Sequence, residues 1–93
     1  MSEELDERIR QAAEVLKSYG ATEVYVFGSA ITGDLRRHSD IDMAVLGLSA
    51  KVFIKAMGDA SDILGRPVDL VDLSKATPFA QYLRDSGTLK HVG

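Results

Sequence analysis

The chain contains no cysteine and no tryptophan, and only two histidines and two prolines in 93 residues. Without cysteine there can be no thiolate metal site, no cysteine nucleophile and no disulfide scaffold. A reducing cytoplasm is the expected setting. His38 and His91 lie far apart in sequence, which leaves little for a His-rich zinc site. No apolar run approaches the ~20 residues of a membrane-spanning helix. The opening MSEELDERIR is charged and amphipathic, unlike the apolar core of a signal peptide. A basic excess is also missing. The formal net charge of −3 argues against an electrostatic grip on nucleic acid, although Arg36-Arg37-His38 forms a local basic patch. With 45% hydrophobic residues the chain can bury one modest core. It shows no repeat, no low-complexity stretch and no linker, so one domain over residues 1–93 is expected.

Hydrophobic periodicity sketches the elements. Leu5, Ile9, Ala12, Ala13 and Leu16 recur at helical spacing, so a first helix is expected over 3–19, ended by Gly20. Strands are expected over 23–27 and 41–46, with a short turn of helix over 29–32 stopped by Gly33. Ser49 reads as the N-cap of a second long helix. Its apolar face comprises Val52, Phe53, Ala56, Met57, Ala60 and Leu64, and Gly65 ends it. Gly58 inside it marks a soft spot or a close-packing site. A third strand covers 68–71, opened by Pro67. Thr77-Pro78 opens a last helix to Ser86, and 88–92 offers an edge strand. A strand–helix–strand crossover makes strands two and three parallel. The expected class is α/β (α+β): a small mixed sheet of three to four strands with helices packed against it.

One stretch carries chemistry. In VYVFGSAITGDLRRHSDIDMAVL, ten residues separate Gly28-Ser29 from Asp40-x-Asp42. Those four positions match by chance about once in 10⁵ start points, so an ordinary turn followed by solvated strand ends is the weaker explanation. Glycine lets a backbone approach a phosphate closely, and serine adds a hydroxyl beside N–H donors at a turn. Strand side chains alternate faces, so Asp40 and Asp42 point the same way while Ile41 points into the core. Side-by-side carboxylates repel, and a divalent cation is the usual reason to place them so. Other residues have blander readings. His38 fits a solvated loop, Arg36 and Arg37 fit a solvated loop or contact with triphosphate or an acceptor about equally, Tyr25 and Phe27 fit a strand core, Phe79 and Tyr82 the packing of the last helix, and His91 a terminus.

These residues resemble the nucleotidyltransferase superfamily that includes DNA polymerase β, in its smallest branch, the minimal nucleotidyltransferases. The hallmark of that family reads here as Gly28, Ser29, Asp40, Ile41, Asp42, preceded by Ser39. The resemblance extends to a later strand, Pro67-Val68-Asp69-Leu70-Val71, and to the terminal Tyr82–Gly87 segment. The chain departs from the family at Ala30 and Thr32, where many minimal members carry arginine. The resemblance implies the nucleotidyltransferase fold. It also implies transfer of NMP, most simply AMP, from ATP or another NTP to a hydroxyl. Asp40 and Asp42 would hold two Mg²⁺ ions, Asp69 would complete the shell of the metal that activates the acceptor, and Gly28 and Ser29 would bind the β- and γ-phosphates. Asp69 is preferred to Asp72, which lies an odd number of residues away and faces the other side of a regular strand.

A chain this short has no room for an acceptor domain. The acceptor must then come from a partner protein or a second subunit. By resemblance the partner is a small helical HEPN-type protein, in an antitoxin–toxin pair. Two other classes stay open at this point. One is a non-catalytic nucleotide-binding or antitoxin module that acts by contact, which the loss of an aspartate would have favoured. The other is a subunit of a small-molecule nucleotidyltransferase, against which the missing acceptor domain counts.

Overall fold

A computed structural model of the chain describes residues 3–27, 40–87 and 89–92, with side chains from Leu5 onward. In chain order the elements are α1 (Glu3–Ser18), β1 (Glu23–Phe27), β2 (Ile41–Leu46), α2 (Ala50–Leu64), β3 (Val68–Asp72), α3 (Pro78–Ser86) and β4 (Lys90–His91). The expected short helix over 29–32 and its stop at Gly33 lie outside the described residues. The strands form one mixed sheet in the order β3-β2-β1-β4. β1 runs antiparallel to β2, from Glu23 opposite Leu46 to Phe27 opposite Asp42. β2 and β3 are parallel, as the α2 crossover demands.

Local chemistry sets the element ends. Ser49 accepts a hydrogen bond from Lys51 N at 3.2 Å at the start of α2. Gly65 closes that helix in the left-handed region, φ 66°, with its N–H on Ser61 O at 2.8 Å. Thr77 accepts from Ala80 N at 3.1 Å, and Pro78 follows it into α3. β3 reaches one residue beyond the expected end, because Asp72 still pairs with Val45 and Leu73 N bonds Val45 O at 2.8 Å. β4 is shorter than expected: Lys90 and His91 pair with Val26 and Tyr25. It lies at the sheet's edge, where only one neighbour holds it.

The two faces of the sheet differ. On one, α1 and α2 pack on each other and on Val24, Val26, Ile41, Met43, Val45, Val68 and Leu70. Ala12, Ala56 and Ala60 are fully buried there, small residues that let both helices approach the strands, and Leu16 is buried among them. On the other face a smaller cluster of Phe27, Ala44, Leu73, Ala80 and Leu83 seats α3 against the sheet. Arg84 donates to the Leu73 carbonyl and ties α3 to the end of β3.

Gly58 resolves into the soft spot, not the packing site. It is exposed within α2, its φ is not positive, and a Cβ built there meets nothing within 4 Å. Gly58→Ala should therefore stabilise the protein by about 0.5–1 kcal/mol, seen as a rise of several degrees in melting temperature. A fall would mean that the helix needs glycine there for another reason. Gly47→Ala should go the other way, since Gly47 has φ 87° and its added Cβ would stand 3.0 Å from Thr22 Oγ1.

Candidate active site

The register of β2 and β3 decides which carboxylates meet. Ile41 pairs with Val68 and Asp42 with Asp69, side by side in neighbouring parallel strands. Two further bonds fix that register. Ile41 N donates to Pro67 O at 2.9 Å, and Val68 N donates to Ser61 Oγ at 3.0 Å. Ser61, whose own hydroxyl reaches Met57 O at 3.0 Å, thereby anchors the start of β3 to the end of α2. Ile41, Met43 and Val45 are buried against α1 and α2, so Asp42 is turned to the opposite face, the one that α3 partly covers. Asp69 shares that face. Asp40 is exposed in the residue just before β2.

Asp42 feels the charges of the other two carboxylates. Asp42 is half-buried, and burial first raises its carboxyl above the ordinary value of 3.8; the charges of Asp69 and then Asp40 raise it further. All three are oxygen donors of the kind a hard divalent cation takes, and their mutual repulsion is what such a cation relieves. The donor set therefore fits Mg²⁺. Among the described residues no three His, Asp or Glu side chains are drawn together into a finished ligand set. What the backbone supplies is their common face and common end of the sheet. Gly28 and Ser29 lie outside the described residues. β1 delivers the chain to that same end, since Phe27, the residue before Gly28, pairs with Asp42.

Asp72 is separate, as strand alternation requires. It lies on the α2 side, bordering a hollow with Ala50, Phe53, Ile54 and Lys75. Its carboxylate accepts from Ser74 N at 2.9 Å and from Ser74 Oγ at 2.5 Å, which makes it a turn residue. His91 packs edge-on against Tyr25, with ring centroids 5.1 Å apart.

One expectation fails. Phe79 and Tyr82 do not pack α3: they are 50% and 62% exposed. Ala80 and Leu83 take the buried positions three residues apart, so 79 and 82 fall on the outer flank. Phe79 touches only the edge of the site, its ring 6.1 Å from that of Phe27 at 64°.

Residues 10–89 match the family model of polymerase β nucleotidyltransferases, and the chain belongs to that family. No helix among the described residues is long and apolar enough to cross a membrane. Solved structures agree on the fold. A toxin–antitoxin crystal structure with AMP-PNP contains a chain 27% identical, with TM-score 0.74 over 95% of this chain and 72% of that one. A chain of the MntA–HepT toxin–antitoxin is 23% identical, with TM-score 0.68 over 94% of this chain and 70% of that one. A chain in a complex of a tri-AMPylated HEPN toxin with an MNT antitoxin, from Shewanella oneidensis, is 22% identical, with TM-score 0.68 over 96% and 71%. The last two, at that identity, bear on the fold alone. No curated protein matches the chain in sequence.

The raised Asp42 carboxyl gives a signed prediction. The folded chain holds that proton more tightly than the unfolded chain, so ionising Asp42 costs stability as pH rises through the raised value. The cost is complete above that raised value and disappears below the ordinary carboxylate range. Asp42→Asn should melt above the unaltered protein at pH 7 without Mg²⁺, and the difference should shrink to nothing as pH falls through the carboxylate range. A lower melting temperature for Asp42→Asn at pH 7 would make the carboxylate a structural group.

Proposed function

We propose that the protein is a Mg²⁺-dependent nucleotidyltransferase that moves AMP from ATP to a hydroxyl of a partner protein. Residues 1–93 would serve as a single catalytic domain, acting in the cytoplasm, where ATP and Mg²⁺ are at hand. The observation that carries the reading is the register that sets Asp42 beside Asp69, with Asp40 on the same face. The likeness to a toxin–antitoxin solved with AMP-PNP supports the nucleotide, and the tri-AMPylated HEPN toxin in another complex suggests the kind of acceptor. The partner would then be a helical HEPN-type toxin, and this chain its antitoxin.

In that reaction the acceptor oxygen bonds to the α-phosphorus, the bond to the bridging oxygen breaks, and pyrophosphate leaves. Charge grows on the attacking and leaving oxygens, and two bound Mg²⁺ ions would stabilise both. Asp40 and Asp42 would hold the pair of ions. Asp69 would complete the shell on the acceptor side and take the hydroxyl proton. Gly28 and Ser29 would hold the β- and γ-phosphates by backbone N–H groups and a hydroxyl. Asp40 and Asp69 are exposed at the sheet edge, where a hydroxyl of the partner protein would meet them.

ATP labelled at the α- or the γ-phosphate separates this reading from a contact antitoxin. With Mg²⁺ and lysate of the source cells, the α-label should enter a protein and the γ-label should not. Asp69→Ala should reduce incorporation at least about a hundredfold, while its affinity for ATP stays within a few-fold. No incorporation of α-label with the unaltered protein would favour a module that acts by contact.

A further inference from the structure

The described surface exposes large apolar side chains in two places. Ile54 lies on α2, against the Asp72 hollow and away from the three carboxylates. Phe79 and Tyr82 lie on α3, whose contacts are all on the carboxylate face of the sheet. A nine-residue helix that buries an alanine and a leucine while leaving its two aromatic rings in water is unusual, because the rings hold most of its apolar area. Packing of α3 does not account for their position.

Phe79 is continuous with the candidate site. Its ring meets the Phe27 ring edge-on with centroids 6.1 Å apart, and Phe27 is the strand partner of Asp42. Phe27 is also the last residue before Gly28-Ser29. The ring therefore stands on the carboxylate face, next to the strand pair that carries Asp42. One edge is fixed by Phe27 and half of its surface is free. We propose that the free surface of Phe79 is the wall on which the base of the bound nucleoside triphosphate stacks. This rests on the nucleotidyltransferase reading of the carboxylates and deepens it. Phe27 holds the ring in place, so little side-chain entropy is lost when a base lands on it. A phenyl ring offers no hydrogen bond, so the contact senses a base by its area and favours purines without separating adenine from guanine. Tyr82, one turn along the same flank, extends the surface outward.

The test compares a ligand that has a base with one that has none. Calorimetry with Mg²⁺ and ATP, or Mg²⁺ and tripolyphosphate, would use the unaltered protein, Phe79→Ala, Phe79→Leu and Phe79→Trp. ATP binding should weaken about five- to twentyfold in the alanine and leucine variants and persist in the tryptophan variant. Tripolyphosphate binding should be the same in all four. Leucine retains apolar contact with Phe27, so a loss in Phe79→Leu with an unchanged melting curve is not a loss of fold. ATP affinity unaffected by Phe79→Leu, or an equal loss for both ligands, would overturn the stacking wall and leave the nucleotidyltransferase reading standing; the aromatic flank would then belong to partner contact. Failure of the unaltered protein to bind either ligand with Mg²⁺ would overturn both.

Discussion

The parallel pairing of β2 with β3 is the constraint on which the site depends. It sets Asp42 against Asp69 across one strand spacing, an arrangement that electrostatics alone would reject. The opposing force comes from the other side of the same strands. Ile41, Met43 and Val45 are fully buried beneath α1 and α2, with Val68 and Leu70 beside them. Burying one such side chain contributes about 1.5–3 kcal/mol, whereas like charges facing each other across a ladder cost about 0.2–1 kcal/mol. The apolar face thus fixes the register, and the polar face must accept the charges that come with it. A one-residue slip would send every one of these side chains to the wrong face.

The rest of the architecture serves that pairing. α2 is the crossover that makes the strands parallel. Ser61 and the Gly65 cap bring its end back to Val68, and the Ile41–Pro67 bond locks the two strand starts together. β1 runs the opposite way, so its last residue reaches the end of the sheet where β2 and β3 begin. Three segments, the end of β1 and the starts of β2 and β3, therefore converge at one edge. α3 packs on that face through Ala80 and Leu83, and Asp40 and Asp69 are exposed at its edge.

Much of this was legible in the sequence because it rests on local rules. Period-two alternation separated Asp69 from Asp72, and the structure gives those residues opposite faces. Ser49, Gly65 and Thr77-Pro78 marked helix ends through capping chemistry, which acts over three or four residues. The crossover rule then gave the parallel pair. Phe79 and Tyr82 were misjudged because their burial depends on how α3 rotates on the sheet. That rotation is set by Leu73, Ala44 and Phe27, all distant in the chain. Nor could sequence alone choose between the two options for Gly58, since the answer lies in what surrounds α2. The phosphate-binding role of Gly28 and Ser29 stays a reading of motif and resemblance.

The central claim is that Asp40, Asp42 and Asp69 form one cation site for a nucleotide. Paramagnetic Mn²⁺, added with a non-hydrolysable ATP analogue to isotope-labelled protein, tests it at residue level. The amide signals of Asp40, Asp42 and Asp69 should broaden at the lowest Mn²⁺ level, and those of Gly20 and Gly47, beyond the opposite end of β1 and β2, should broaden last. Broadening centred on Asp72, or spread evenly over the acidic residues, would contradict the account.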